Sequence, residues 1–369
     1  MRNKKIFFQD VFFGIGIAIF LLAGSYFIEE KIFDFSDLKL TSSLSPQKFS
    51  HPISSSTPSH SSLNNLSKNK NPKIKILFVG DIMLDRGVES LMKEKGYFYP
   101  FEEIANFLSQ FDMVIGNLEG VIVKTPPDFG PHSLRFAFAP ETAQILKKAN
   151  FRLLSLANNH TSDLGEVALN ETKSLLLDQS IQFVGDPVNC DKDYWVKMEE
   201  IIVLAFNKTF SFNCDNQSIV KLTQIIRKKF PQQFLIVFLH WGEEYQLISS
   251  SSQRKLAHSL IDAGADLIIG SHPHVVQEIE KYKGKLIFYS LGNFIFDQYF
   301  SRETQRGLAV SLELYPSKII YKLYPYTLFH SQPKLMNEKE REWFLNNLAE
   351  KSSADLRSQI KNGIIEIEF

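Results

Sequence analysis

The sequence has no excess of charge of either sign. Its 41 Lys and Arg residues balance 41 Asp and Glu residues over 369 positions. Proteins that bind nucleic acids through the phosphate backbone need a basic surface, so the overall balance gives no support to such a partner. We therefore predict that the chain does not act on nucleic acid.

Cysteine is scarce, with Cys190 and Cys214 the two copies in the chain. Neither lies near the apolar run at residues 11–28, so we do not expect a lipid attached to cysteine there. Disulfides form in oxidising compartments, so export would permit a bond between the two. Their number and spacing do not establish that bond, and the sequence leaves it open.

One long uncharged apolar run is present, at residues 11–28. It approaches the ~20 residues that cross a bilayer as a helix. Basic residues precede it and two glutamates follow it, so the positive-inside rule keeps residues 1–10 in the cytoplasm. A cleaved signal peptide is the alternative, but the run exceeds a usual signal core and no clean A-x-A site follows. We predict a single-pass anchor in the cell membrane, with the catalytic domain extracytoplasmic.

Beyond the anchor, composition separates a linker from a folded domain. Residues 29–72 are rich in Ser, Asn and Pro, which is typical of a flexible tether. From residue 73 onward, apolar strand-like runs alternate with helix-like segments. This alternation predicts βαβ units and an α/β fold with a largely parallel sheet. We assign residues 73–330 to this domain and residues 331–369 to a C-terminal helical extension.

Several boundaries follow from local patterns. Apolar residues recur at helical spacing in four segments. These segments are Pro100–Gln110, Pro140–Ala149, Glu166–Asp178 and Ser251–Ala263. After residue 274 the apolar runs become short and are broken by Gly or Pro, which favours antiparallel pairs. Lys283-Gly284 is predicted to form a hairpin turn between two of them, and Asn337–Ser352 a terminal helix.

Five of the strand-like runs end in polar clusters. The run at residues 267–269 leads to His272 and His274, whose imidazoles point to one side if the segment is extended. Four other runs end in similar residues: Asp81, Asn117 with Glu119, Asn159 with His160, and His240. In open α/β sheets, ligands bind beyond the carboxyl ends of the strands. Carboxylates, amides and imidazoles gathered there predict a dinuclear metal site. For each single cluster the alternative is a set of polar loop residues that fix turns and cap helices.

Taken in order, the motifs resemble the CapA family of capsule-synthesis, poly-γ-glutamate-associated proteins. The motifs are Gly80-Asp81, Asn117-Leu118-Glu119, Ala157-Asn158-Asn159-His160 with Asp163 and Gly165, His240-Trp241-Gly242, Gly270-Ser271-His272-Pro273-His274 and Ser290-Leu291-Gly292-Asn293-Phe294. The match covers roughly residues 74–296. The family in turn is similar to the calcineurin-like metallophosphoesterases. That likeness implies a four-layer α/β/β/α sandwich with a two-metal site at one edge of the sheets.

The resemblance also implies roles for individual residues. The implied metal ligands are Asp81, Glu119 (or Asn117), Asn159, His240, His272 and His274. His160 then corresponds to an imidazole that protonates the leaving group, and Asp163 orients it through a hydrogen bond. Mixed nitrogen and oxygen ligands suit Mn, Fe or Zn. Two such ions would polarise the substrate and activate water, with an imidazole as general acid.

One departure from the metallophosphoesterase pattern concerns the start of the site. Those enzymes usually carry Asp-x-His, whereas Met83 follows Asp81 at the histidine position here. A thioether is a poor ligand for these cations, so Asp85 would have to substitute or one site would be weak. The Asn117-Leu118-Glu119 block also departs from the usual Asp pair. Both changes argue against ordinary phosphoesterase activity.

Three functions remain open from the sequence. The first is a metal-dependent hydrolase, anchored in the membrane, that acts on poly-γ-glutamate or a related envelope polymer. The second is a non-catalytic polymer-binding or export component that works with capsule synthase membrane subunits. A periplasmic nucleotidase is the third, suggested only by kinship with phosphoesterases.

Overall fold

The computed structural model describes residues 71–209 and 214–368. The predicted cytoplasmic segment, the membrane anchor and nearly all of the linker lie outside these ranges. No helix within the two ranges is long and apolar enough to cross a membrane.

Within the described ranges the chain alternates strands with helices. The strands are β1 (Ile74–Ile82), β2 (Met113–Leu118), β3 (Val121–Ile122), β4 (Ala137–Phe138), β5 (Phe151–Ser155), β6 (Gln182–Val184), β7 (Trp195–Met198), β8 (Ile201–Asn207), β9 (Phe234–His240), β10 (Leu267–Ser271), β11 (Ile279–Tyr282), β12 (Lys285–Phe288), β13 (Asn293–Ile295), β14 (Arg306–Leu314), β15 (Lys318–Phe329), β16 (Gln332–Leu335) and β17 (Ile364–Glu368). The helices are α1 (Arg86–Lys95), α2 (Ala105–Leu108), α3 (Glu141–Lys148), α4 (Gly165–Asp178), α5 (Asn216–Lys229), α6 (Ser251–Asp262), α7 (Glu338–Lys351) and α8 (Arg357–Asn362).

Two large sheets organise these strands. The first has the order β16-β15-β14-β1-β2-β5-β6, with β13 also beside β1 and β17 beside β15. The second has the order β11-β12-β10-β9-β8-β7. Neighbours are parallel from β1 to β6 in the first sheet and from β8 through β9 and β10 to β12 in the second. The later strands pair mostly antiparallel, as the sequence predicts.

The sheets share one core and carry helices on their other faces. Phe78 and Ile115 of the first sheet belong to the same buried cluster as Ile236 and Phe238 of the second. A separate cluster joins the opposite face of the first sheet to α1, α3 and α4, and another joins the second sheet to α5 and α6. Alternate residues of each central strand enter different clusters, because successive side chains of a strand point to opposite faces. The result is a mixed α/β fold in which both sheets are buried on both faces.

Most predicted elements are present, with three differences. The predicted helix Pro100–Gln110 is wrong: a 3-10 turn at Tyr99–Phe101 and the single-turn helix α2 replace it. All three residues of that turn are buried, so tertiary packing decides the local backbone. The second difference is a set of elements that were not predicted: helices α1, α5 and α8, and strands β3, β4, β6, β7, β8 and β13. The third difference concerns residues 331–369, where α7 forms as predicted but β16 and β17 pair with β15, so the segment is part of the first sheet.

The hairpin turn and the cysteine pair both have clear outcomes. Lys283 and Gly284 join β11 to β12 with φ of 48° and 77°, the left-handed backbone that a tight hairpin turn requires. Cys190 and Cys214 are joined by a disulfide bond. That bond connects the loop before β7 to the residues just before α5, and it resolves what the sequence left open.

Gly80 makes the approach of β1 to the segment before β13 possible. A Cβ at this position would lie 1.7 Å from the carbonyl oxygen of Gly292, the same oxygen that accepts a hydrogen bond from the Asp81 amide. We expect Gly80→Ala to lower the free energy of unfolding by about 3 kcal/mol or more, because backbone must move. Denaturant unfolding measures this loss.

Gly130→Ala is the matched control for that substitution. Its added methyl meets nothing within 4 Å, although Gly130 has a φ of +80°. Backbone strain alone should cost about 1–2 kcal/mol there. Equal losses in the two variants would show that crowding at Gly80 is not what matters.

Candidate metal centre

The polar cluster lies where five central strands end. Sheet register places Asp81 of β1 opposite Asn117 of β2 and also opposite Asn293 of β13. In the second sheet, register places His240 of β9 opposite Ser271 of β10. Because parallel strands end at the same edge of a sheet, residues far apart in sequence meet there.

Asp81, Glu119 and His274 form the first group of metal-binding type. All three are buried, and one ligand atom from each lies within 4.8 Å of the others. His274 Nδ1 is 3.5 Å from Asp81 Oδ2, and His274 Nε2 is 3.8 Å from Glu119 Oε1. Glu119 Oε1 has no hydrogen-bond partner although it is buried. A buried carboxylate oxygen without a partner is costly, so its position fits an acceptor for a cation.

His272 and His274 form a second group with Glu244. Their ligand atoms also lie within 4.8 Å of one another, and Glu244 is exposed at the rim. His272 Nδ1 is buried without a hydrogen-bond partner, while the His272 amide donates to Asp81 Oδ2 at 3.2 Å. His274 is common to both groups, so the two groups share one candidate ligand.

The two histidines converge by a different backbone from the one predicted. They follow β10 instead of lying on it, and their φ values are 95° and 59°. Non-glycine residues in this region cost about 1–3 kcal/mol each and cluster at functional sites. The ring of His274 is fixed further by Asn293, whose Oδ1 lies 2.9 Å from Nδ1.

Two buried asparagines, Asn117 and Asn158, hold Asp81 in place through consecutive hydrogen bonds. The Asn117 amide donates to Asp81 Oδ1 at 2.9 Å and its oxygen accepts from Asn158 Nδ2 at 2.9 Å. Asn158 also accepts from the amides of His160 and Thr161, both at 3.0 Å. Asn117 therefore presents a donor to the cluster, whereas Glu119 presents a free acceptor. Of the two alternatives that the sequence left open, the geometry favours Glu119 as the ligand and Asn117 as the residue that positions Asp81.

His240 and Asn159 contact each other at the side of the cluster. His240 Nε2 lies 2.8 Å from Asn159 Oδ1, and its Nδ1 lies 3.0 Å from Ser271 Oγ and 3.9 Å from Asp81 Oδ1. His240 belongs to neither of the two groups found in the described residues. It is nevertheless brought next to Asp81, as the sequence predicts.

His160 and Asp163 lie at the mouth of the cluster. His160 Nδ1 is 3.0 Å from Asp163 Oδ2, so the predicted contact is present. Asp163 is itself held by the Phe136 amide, which donates to the same oxygen at 2.8 Å. This leaves His160 Nε2 facing the cluster, 3.8 Å from Glu119 Oε1. The side chain of His160 is 15% exposed, so it can be reached from solvent.

Burial and neighbouring charges shift the pKa values of the cluster in opposite directions. Burial lowers the pKa of His272 to about 4, helped by His274 nearby. Burial also acts to lower the pKa of His274, but Glu119 and Asp81 outweigh it and raise the value to about 9. Burial and the Asp81 carboxylate raise the pKa of Glu119 well above its usual value. His240 is shifted well below its usual pKa, first by burial and then by the other imidazoles.

Met83, at the usual histidine position, and Asp85, its possible substitute, are both engaged away from the cluster. Met83 is fully buried in the apolar core between the first sheet and its helices. Asp85 caps α1: its Oδ1 accepts from the Arg86 amide at 2.6 Å and its Oδ2 from the Ala137 amide at 2.9 Å. Both carboxylate oxygens are used by backbone, so Asp85 does not take the place of the missing imidazole.

Three further residues lie at the site without a role predicted from the sequence. Asn158 is adjacent to Asn159, in an Asn-Asn-His motif that offers the signal. Glu244, a few residues after His240, lies in one of the two groups of metal-binding type. Asn293, in the last of the family-like motifs, contacts the imidazole of His274.

Fold and site together define a mixed α/β protein with a buried cluster of imidazoles, carboxylates and amides at strand ends, of the type that holds divalent metal. The family model described as "Bacterial capsule synthesis protein PGA_cap" matches residues 75–298. This match covers more than half of the chain, and the chain belongs to that family. The predicted resemblance is thereby confirmed.

Two capsule-biosynthesis proteins of Bacillus species are similar in sequence to this chain. The chain is 34% identical over 266 residues to "Capsule biosynthesis protein CapA" of Bacillus anthracis, covering 65% of this chain and 64% of that protein. It is 32% identical over 248 residues to "PGA biosynthesis protein CapA" of Bacillus subtilis, covering 63% and 65%. The match thus spans slightly less than two thirds of these relatives.

Likeness to solved structures is distant. The structure of a purple acid phosphatase from yellow lupin seeds aligns with a TM-score of 0.36 and 12% identity, covering 72% of this chain and 52% of that one. At this level, kinship with the metallophosphoesterases stays a prediction.

Proposed function

We propose that this protein is a metal-dependent hydrolase that acts on a capsule polymer, poly-γ-glutamate or its precursor, outside the cytoplasmic membrane. One observation carries the proposal. Glu119 Oε1 and His272 Nδ1 are buried without partners, in two ligand groups that share His274, and a His160–Asp163 pair stands at the mouth. A structural polar network would satisfy these atoms internally.

The residues present fit a divalent cation of the Mn, Fe or Zn type. Asp81, Glu119 and His274 would hold one ion, and His272, His274 and Glu244 define a place for a second. Mixed nitrogen and oxygen donors suit these metals better than Ca²⁺. A bound metal would supply Lewis acidity toward the substrate oxygen and lower the pKa of water.

The protein's own side chains then divide the remaining work. Asp163 holds the ring of His160 so that Nε2 faces the cluster and donates a proton to the leaving group. Asn117 fixes Asp81 and Asn293 fixes His274, which keeps the ligand atoms converged. The same arrangement serves a γ-glutamyl amide or a phosphoester, since both leaving groups need a proton.

The proposal is tested with the purified full-length protein. We expect near-stoichiometric Mn, Fe or Zn by elemental analysis, and chelator-sensitive shortening of poly-γ-glutamate by size-exclusion chromatography. A parallel panel of phosphomonoesters and diesters identifies the bond that is cleaved. A metal-free protein with no turnover after metal is added back would refute the proposal.

Metal binding should depend on pH through His274. A ligand imidazole must lose its proton, and the pKa of His274 is raised to about 9 in the metal-free cluster. Below that pH each metal ion displaces a proton. We expect the apparent affinity to rise about tenfold per pH unit from pH 6.5 to about 9 and then to level off. Titration calorimetry at several pH values measures the slope, and an affinity independent of pH in this window would contradict the assignment.

A second function is favoured by one specific observation. Met83 occupies the position of a usual metal-binding histidine and is buried in the apolar core, and Asp85 does not replace it. A site with one weak ion would suit a non-catalytic component that binds polymer beside capsule synthase subunits. That alternative predicts polymer binding that is insensitive to chelator and unaccompanied by cleavage.

A further inference from the structure

A groove lies beside α7, next to the loop that precedes β14. It consists of two cavities of about 250 and 550 Å³ that share Arg306 and Trp343 as lining residues. Leu247 lines the smaller cavity and Met336 the larger. The guanidinium of Arg306 lies over the Trp343 ring, 4.4 Å from its centroid, and Trp343 is 50% exposed. A flat apolar ring and a cation thus face solvent side by side.

The charge of this Trp343 groove is predominantly positive. Four cations line it, namely Arg302, Arg306, Lys339 and Lys351, against two carboxylates, Glu303 and Glu340. Glu340 is already engaged, since it accepts from the Asn337 amide at 3.1 Å in the cap of α7. Within the described ranges none of the four cations forms an ion pair. Unpaired cations beside an exposed tryptophan are suited to an anionic ligand.

One loop links the groove to the metal centre. At its start Gln298 accepts from Asn293 Nδ2 at 3.0 Å and donates to the Tyr245 hydroxyl at 3.2 Å. Asn293 in turn contacts His274. The loop ends at Arg306 in the groove. The loop thus joins a residue that contacts Asn293 of the metal centre to a residue that lines the groove.

We propose that the Trp343 groove binds a stretch of an unbranched polycarboxylate chain, remote from the bond that is cleaved. The inference rests on the proposed function, because it takes the same polymer as ligand. Arg302, Arg306 and Lys339 pair with successive carboxylates, and the Trp343 ring packs on the methylene groups between them. Several weak contacts on one chain raise the affinity together and hold the polymer at the metal centre.

Binding of poly-γ-glutamate to the full-length protein tests this inference, with chelator present so that no cleavage occurs. Arg302→Glu with Lys339→Glu reverses two exposed charges of the groove, and Trp343→Ala removes the ring. We expect each variant to bind roughly tenfold more weakly, and the charge variant to lose most of the salt dependence seen in the wild type.

Lys221→Glu with Lys228→Glu provides the matched control. These two lysines are exposed on α5, outside the groove, and form no ion pair in the described part of the chain. The control makes the same change in net charge and should leave the affinity within about twofold of the wild type. Equal weakening in control and groove variants would overturn the groove, as would unchanged binding in the groove variants or equal affinity for uncharged dextran.

Turnover with metal present separates this inference from the proposed function. If the groove variants lose polymer binding and no form of the protein cleaves, the groove stands and the hydrolase fails. If cleavage continues with an unchanged KM in the Arg302→Glu, Lys339→Glu variant, the hydrolase stands and the groove fails.

Discussion

Replacing both His272 and His274 with alanine is expected to abolish metal binding and, with it, every hydrolytic activity that depends on the metal. His274 belongs to both ligand groups, and His272 Nδ1 is buried without a hydrogen-bond partner. Loss of a residue that merely supports a ligand costs about 10–100-fold in metal affinity, so loss of two ligands should exceed about 1,000-fold. Elemental analysis and metal titration of the full-length protein measure the effect.

Two further variants make this result interpretable. Alanine is strained at both positions because their φ values are positive. Glycine tolerates that backbone and also lacks a ligand atom, so His272→Gly with His274→Gly should lose metal equally while keeping the fold. His132→Ala, which removes an exposed imidazole elsewhere, should keep its metal. Full metal content in both double variants would show that His272 and His274 are not metal ligands.

His160→Ala should slow cleavage of the polymer by about 100- to 10,000-fold without removing the metal. The reason is that His160 is assigned as the general acid, and positioned proton transfer contributes about that factor. Its Nε2 faces the cluster while Nδ1 is held by Asp163. Single-turnover kinetics with defined poly-γ-glutamate fragments measure the chemical step directly.

Asp163→Asn is the companion of that variant. An asparagine oxygen can still accept from the Phe136 amide, so the loop should persist, but the carboxylate that orients the His160 ring through Nδ1 is lost. We expect a smaller loss of turnover than for His160→Ala, with unchanged metal content. Should His160→Ala cleave as fast as the wild type, the imidazole would have no catalytic role and the polymer-binding alternative would gain.

Most of the central strands could be predicted because their signal is local. The runs that became β1, β5, β9 and β10 are continuous and apolar, which is typical of strands buried on both faces. Helix α5 carried comparable signals and was overlooked: Asp215 caps it, and Ile219, Thr223 and Ile226 are buried at helical spacing. The helix expected at residues 100–110 failed because burial of its first turn outweighs the periodicity.

For the site, too, the sequence predicted which residues meet but not how each side chain is oriented. The places of Asp81, Glu119, Asn159, His240 and the His272–His274 pair after strands predicted that they would meet. Their strands belong to two sheets, β1, β2 and β5 to the first and β9 and β10 to the second, so packing of the sheets completes the meeting. Which atom of each faces inward depended on partners from other segments. Asn158 holds Asn117 with its donor toward Asp81, and Asn293 sets the ring of His274.

By itself the sequence determined the apolar runs that form several central strands, the polar residues that follow them and the resemblance to the capsule-synthesis family, since each is written in a contiguous motif. The tertiary structure decided which carboxylate is free to bind a cation, the left-handed backbone of the two histidines, the burial of Met83 and the meeting of Arg306 with Trp343. These depend on contacts between residues far apart in the chain, whose energies no local pattern records.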